Sequence, residues 1–145
     1  MGNDTFTKVE KSEEKMYGPR QLLVCGYTSG QQPLLLSLLN QIDMADLPVK
    51  FITDADSHWT LKDVLALKEK RGEGNPSTLS RAIIMCGLTH KELHRLMGVY
   101  RGSGFPKQLW ATLTPISENW TVKDLLEELA KESEAMRQRN SSPNP

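Results

Sequence analysis

Apolar positions along the chain fall into short continuous runs alternating with helical stripes. Gln21 to Tyr27 is an apolar run ending in Gly26-Tyr27, the pattern of a strand covered on both faces. Leu34 to Ile42 is dense in apolar residues at helical spacing. Thr28 and Gln31 offer a capping box for that helix, and Pro33 suits a first helical turn. Val49 to Thr53 predicts a second strand, Asp54 to His58 a polar loop, and Leu61 to Lys70 a second helix with Leu61, Val64 and Leu65 on one face. Arg71 to Thr78 holds two Gly and a Pro and predicts a linker. Beyond it the same order returns. Arg81 to Cys86 reads as a strand, and Thr89 with Glu92 caps a helix whose stripe is Leu93, Leu96, Met97 and Tyr100. Lys107 to Thr114 reads as a fourth strand, and Val122, Leu125, Leu126 and Leu129 line a last helix.

The return has a fixed period. Trp59-Thr60-Leu61-Lys62-Asp63-Val64-Leu65 and Trp120-Thr121-Val122-Lys123-Asp124-Leu125-Leu126 lie 61 residues apart. Cys25-Gly26 meets Cys86-Gly87 at the same offset, Thr28 meets Thr89, and Thr53 meets Thr114. Thr60 and Thr121 occupy N-cap positions with an Asp three residues on, and each preceding Trp has staple spacing to Val64 or Leu125. The expectation is a tandem duplication of one β-α-β-α unit: a first repeat over 20–74, a second over 79–138, a mobile arm over 1–19 and a mobile tail over 139–145. The arm has too little apolar surface to bury, apart from Met16-Tyr17, which offers a docking point.

Alternating strands and helices predict an α/β fold with one four-stranded parallel sheet and helices on both faces. The order 2-1-3-4 makes strands one and three central. A two-fold axis along the strands then puts helices one and four on one face and helices two and three on the other, and sends Cys25 and Cys86 to opposite faces. A parallel sheet of this order has a crevice outside the carboxyl ends of strands one and three. Gly26, Tyr27, Thr28, Gly87, Thr89 and His90 are the candidate ligand-binding residues there, with no catalytic residue among them.

The second repeat resembles a small bacterial domain family of about sixty residues, the domain of unknown function 3783. The resemblance rests on an apolar strand ending in Gly87, on Thr114-Pro115, and on Asn119-Trp120-Thr121 leading into Leu125-Leu126-Glu127-Glu128-Leu129. Ser117 stands where the family tends to have Asn, and Asp54 stands in the first repeat where the second has Pro115. The family implies a fold-sized module and no reaction.

Composition narrows the function classes. Eighteen Lys and Arg balance eighteen Asp and Glu, without the basic block of a nucleic-acid footprint. No apolar run approaches a membrane span and no signal core opens the chain, so a cytoplasmic protein with free thiols is expected. His90 and His94 have metal-ligand spacing on one helix face, but a third ligand is wanting and the Glu between them is out of metalloprotease register. Asp54, Asp56 and His58 fit no calcium loop. Cys25 and Cys86 read as small buried hydrophobes, because neither has a neighbouring cation or a Cys-x-x-Cys partner. Neither a cofactor nor a metal is implied. The expectation is a non-catalytic binding or regulatory module, monomeric or homodimeric, acting on a protein partner or a small anionic ligand. The alternative is a small enzyme or thiol redox protein using the carboxyl-edge crevice.

Overall fold

In a computed structural model of the chain, residues 13–67, 72 and 74–141 are described. The elements are β1 (Gln21–Cys25), α1 (Gln31–Gln41), β2 (Val49–Ile52), α2 (Leu61–Ala66), β3 (Ala82–Cys86), α3 (His90–Arg101), β4 (Leu109–Thr112) and α4 (Val122–Ser141). A 3-10 turn precedes α2 at Asp54–Asp56, and another precedes α4 at Ser117–Asn119. The strands form one sheet in the order β2-β1-β3-β4. The expected end of the second helix at Lys70, the first twelve residues of the expected arm, and the tail beyond residue 141 lie outside the described residues.

The sheet is mixed and not parallel throughout. β1 pairs with β2 and β3 with β4 in parallel, whereas β1 and β3 run antiparallel, with Leu23 opposite Ile84 and Cys25 opposite Ala82. An axis exchanging the halves would therefore stand perpendicular to the sheet, and the corresponding helices share a face. One core holds Leu35 and Leu39 of α1 with Leu96 and Tyr100 of α3. The other holds Leu61, Val64 and Leu65 of α2 with Val122, Leu125 and Leu126 of α4. This corrects the expected grouping of helices one with four and two with three. Cys25 and Cys86 are likewise on the same face, in the α2/α4 core, but at opposite ends of the central strand pair. They are free and buried, separated along the strands and not across the sheet.

The two halves meet at their helix starts. Leu61 N–H donates to the Trp120 carbonyl and Val122 N–H to the Trp59 carbonyl, both at 3.0 Å, around an antiparallel bridge between Thr60 and Thr121. The Thr hydroxyls meanwhile accept from the amides of Asp63 and Asp124, both at 3.1 Å, as N-caps. One backbone segment thus closes a helix and joins two units.

Met16 and Tyr17, at the end of the expected arm, are docked. Met16 N–H donates to the Leu88 carbonyl at 2.8 Å, and the Tyr17 carbonyl accepts from Gly87 N–H at 3.0 Å.

Candidate functional site

The antiparallel centre separates the predicted site residues. Gly26, Tyr27 and Thr28 follow the carboxyl end of β1, beside the start of β3; Gly87, Thr89 and His90 follow the carboxyl end of β3, at the other end of the sheet. The single crevice expected between them requires a parallel pair, so these six residues do not share one.

Each end is crossed by the segment that leads into the other half's first strand. A Cβ on Gly87 would lie 2.4 Å from the Gly18 carbonyl oxygen and 2.8 Å from the Arg20 nitrogen. A Cβ on Gly26 would lie 2.5 Å from the Leu79 carbonyl oxygen and 2.8 Å from the Arg81 nitrogen. Both glycines have positive φ, +66° and +78°, which an L side chain rarely adopts. The crossing residues, Gly18 and Leu79 or Arg20 and Arg81, are themselves 61 positions apart.

At the Gly87 end the crossing ends in an ion pair. Thr89 and Glu92 form a closed capping box at the start of α3, and the Arg20 guanidinium donates to the same Glu92 carboxylate, with Nη2 2.5 Å from Oε2. Asp46 receives the other Arg20 nitrogen at 3.2 Å. The hydrogen bond from Arg20 pulls the Glu92 carboxyl below its usual range, helped by the Thr89 amide and opposed by burial. This end is filled and electrically balanced by the chain's own groups. His90 begins α3 as an exposed residue, and Thr89 before it is half-buried.

At the Gly26 end the same frame holds different chemistry. Thr28 and Gln31 exchange amide and side-chain hydrogen bonds at 3.2 Å, and Arg81 Nη1 donates to Gln31 Oε1 at 2.7 Å. Gln31 occupies the position of Glu92, so the arginine meets an amide where its counterpart meets a carboxylate. Arg81 Nε donates to the Tyr100 hydroxyl at 3.0 Å, and the guanidinium carbon lies 3.8 Å above the Tyr27 ring centre. All of these partners are neutral. Arg81 Nη2 has no hydrogen-bond partner among the described residues, although the atom is buried. A desolvated guanidinium nitrogen without a counter-charge is costly, which marks the position as unfinished.

Around Arg81 the wall is aromatic. Tyr100 packs edge-on against Phe105 and against Trp110, each with ring centres 5.3 Å apart. The Tyr100 hydroxyl is held by the Pro106 carbonyl. Tyr27 is buried and donates to Gln108 Oε1 at 2.8 Å; burial raises its hydroxyl pKa, so it remains protonated. The amide nitrogen of the same Gln108 is buried and unpartnered among the described residues. At the equivalent positions in the other half stand Leu88, Leu39, Met44, Val49 and Leu47, all apolar and without a hydrogen-bonding side chain. A cavity of about 510 Å³ opens beside the cluster, lined by Tyr100, Phe105, Gln108 and Trp110 with Arg101 and Lys107, and without an acid. Two cations, Arg101 and Lys107, and an aromatic wall line the cavity, and the two unpartnered donors are buried next to that wall, a combination that fits the binding of an anion with a flat or apolar body.

Tyr27 and Thr28, expected to touch a ligand, belong to this end; Gly26 shapes it as the crossing point. Sequence reasoning places Arg81 and Gln108 only in strands. The sequence signal for them is the pair of equivalences Arg20/Arg81 and Glu92/Gln31, in which one half keeps the cation and loses the anion.

Other candidates are accounted for. The Asp54 carboxylate accepts from Ser77 Oγ at 3.0 Å and from Thr78 N–H at 2.9 Å, tying the linker to the 3-10 turn; the Thr78 bonds hold its pKa below the usual range. Burial pushes the thiols of Cys25 and Cys86 up to about 12, so neither supplies a thiolate near neutral pH. Among the described residues no three His, Cys, Asp or Glu are grouped to hold a metal ion, and no helix is long and apolar enough to cross a membrane.

Neither the curated proteins nor the solved structures contain a match to this chain. Residues 81–136, less than half of the chain but including Arg81, Tyr100, Phe105, Gln108 and Trp110, match the model of a family described as a domain of unknown function (DUF3783). The second half of the chain is similar to that domain of unknown function, as its Gly87, Thr114-Pro115 and Trp120-Thr121 signature implied.

Proposed function

We propose that the chain is a non-catalytic binding module that takes a small anionic ligand, a carboxylate or phosphate carrying a flat or apolar body, at the Arg81 end of its sheet. The observation that carries this is the contrast between two equivalent arginines. Arg20 is neutralised by Glu92, while Arg81 has Gln31 and keeps Nη2 unpartnered among the described residues. The amide nitrogen of Gln108, whose oxygen holds the hydroxyl of the Tyr27 ring on which Arg81 stacks, is unpartnered among them too. A ligand anion would supply the missing charge, and the Tyr100–Phe105–Trp110 wall would cover its body. We further infer that the two halves derive from one duplicated unit, in which one end retained a structural ion pair and the other exchanged it for a receptor.

The alternative of thiol chemistry has little support, since both sulfurs are buried and held protonated. A cytoplasmic setting, in which small carboxylates and phosphates are abundant, suits the reading.

Thermal unfolding of the full chain with benzoate, acetate, inorganic phosphate and phenyl phosphate tests it. Benzoate or phenyl phosphate should raise the midpoint in a saturable way, and Arg81→Lys, which keeps the charge but loses the planar fork, should weaken that response about tenfold. No response to any of the four, or a response unchanged in both Arg81→Lys and Gln108→Leu, would contradict it.

A further inference from the structure

Each half joins its first helix to its second strand by a short loop, residues 42–48 and 102–108, and the two loops are held differently. In the first, Met44 N–H donates to the Leu39 carbonyl at 2.8 Å and Leu47 N–H to the Met44 carbonyl at 3.1 Å, and both side chains are buried. Phe105 and Gln108 stand 61 positions further on and are half-buried, and neither bond has a counterpart there among the described residues. Phe105 N–H donates instead to the Ser103 hydroxyl at 3.2 Å, a contact inside the loop itself. The two turns share a backbone path, since Asp43 and Gly104 both have positive φ, +59° and +85°. What ties the second loop back is one side chain. The Tyr100 hydroxyl donates to the Pro106 carbonyl and accepts from Arg81 Nε at 3.0 Å. Its counterpart, Leu39, has no hydroxyl.

The second loop also stands in front of the arginine. The Phe105 ring centre lies 5.5 Å from the Arg81 guanidinium carbon. The cavity is lined by Tyr100, Phe105 and Gln108 but not by Arg81, whose Nη2 is buried. An anion in the cavity therefore reaches that nitrogen only if the wall gives way. Tyr100 belongs to α3 and Trp110 to β4, whereas Phe105 is carried by the loop. We propose that residues 102–107 form a lid over Arg81, hinged at Gly102 and Gly104 and latched by the Tyr100 hydroxyl on the Pro106 carbonyl. Opening breaks that hydrogen bond and the edge-on contact of Phe105 with Tyr100, and carries Phe105 off the guanidinium. Segments with so few anchors open at low cost, which is what a binding-site lid requires. The latch hydroxyl also accepts from Arg81, so the lid and the anion-binding group are joined through one atom. The inference rests on the reading of Arg81 as an anion receptor.

Relaxation dispersion of the backbone amides in the free, full chain tests the lid without a ligand. Gly104, Phe105, Lys107 and Gln108 should show exchange on the µs–ms scale, and Asp43, Met44, Asp46 and Leu47 should show none. Tyr100→Phe keeps the ring and removes the latch, and should raise the open population about threefold or more. A Cβ on Gly104 would have nothing within 4 Å, and Asn tolerates positive φ, so Gly104→Asn should stiffen the hinge and lower the exchange. Flat profiles in the second loop, or equal exchange in both loops, would overturn the lid. So would exchange unchanged in folded Tyr100→Phe, or in Gly104→Asn if only that variant folds. The thermal midpoint with benzoate reads the receptor separately. A midpoint that responds while the loop stays silent removes the lid and keeps the receptor; an exchanging loop without a midpoint response supports the lid and counts against the receptor.

Discussion

Arg81 Nη1 donates to Gln31 Oε1 at 2.7 Å, in the place where Arg20 meets the carboxylate of Glu92. The two contacts share their surroundings: a glycine at positive φ, a threonine three residues before the side-chain acceptor, and an arginine carried across by the incoming chain. What differs is the charge of the acceptor. A half-buried arginine accepted by an amide keeps its charge unanswered and, at Nη2, a nitrogen unpartnered among the described residues, which makes this the end of the molecule with something to bind.

Gln31→Glu therefore converts the open end into a copy of the closed one. The new carboxylate should accept from Thr28 N–H and from Arg81, raising stability by about 0.5–1 kcal/mol as a partly exposed pair. The denaturation midpoint should rise, and the response to added anions should disappear. A stabilised variant that still binds benzoate would separate the two effects and count against the receptor.

The Arg20–Glu92 pair should show in the pH dependence of stability. Glu92 has its carboxyl lowered in the folded chain from an ordinary 4.5, first by the Arg20 hydrogen bond. Its contribution is present above the unfolded value and is lost as pH falls through the folded one. Urea midpoints measured downward from pH 6 should drop below pH 4.5 more steeply in the native chain than in Glu92→Gln, with the two curves converging at low pH. Parallel curves would mean the pair contributes nothing.

Glycine replacements should divide by backbone and space. Gly87→Ala puts a Cβ against the Gly18 carbonyl at positive φ and should cost more than about 1 kcal/mol. Gly98 lies within α3, and a Cβ there would have nothing within 4 Å, so Gly98→Ala should stabilise by about 0.5–1 kcal/mol. Urea titration of both variants reads the opposite signs directly.

Thr60→Ala and Thr121→Ala each remove a cap and should each cost about 0.5–2 kcal/mol. Because the Thr60–Thr121 bridge joins the halves through backbone bonds alone, the variants should unfold in one transition. Two separate transitions would show that the caps also hold the units together.

Much of the fold is legible in the periodicity. The 61-residue offset locates both helix caps, the apolar runs identify four strands, and the alternation of strands with helices in two copies leads to their order. The direction of β3 against β1 is not legible, because both strands are buried on both faces along their whole length. Such a strand has the same hydrophobic pattern in either direction, so patterning cannot distinguish a parallel neighbour from an antiparallel one. With β3 reversed, the expected crevice divides into two ends, which is why Tyr27 and Thr28 stand on the Arg81 side of the sheet and Thr89 and His90 on the Arg20 side. Arg81 and Gln108 give little sign of themselves in the sequence, because each stands at the start of a strand, where polar residues are common. Their roles depend on Tyr27 and Gln31, far away in the chain.

The most direct measurement follows the side-chain N–H signals of Arg81 and Gln108 by nitrogen-edited NMR while benzoate is added to the full chain. The Gln108 amide pair and Arg81 should move together along one saturable curve, with the Trp110 indole as a third reporter, and none of them should move in Gln31→Glu. Signals that stay still in the native chain, or that move equally in Gln31→Glu, would contradict an anion receptor at Arg81.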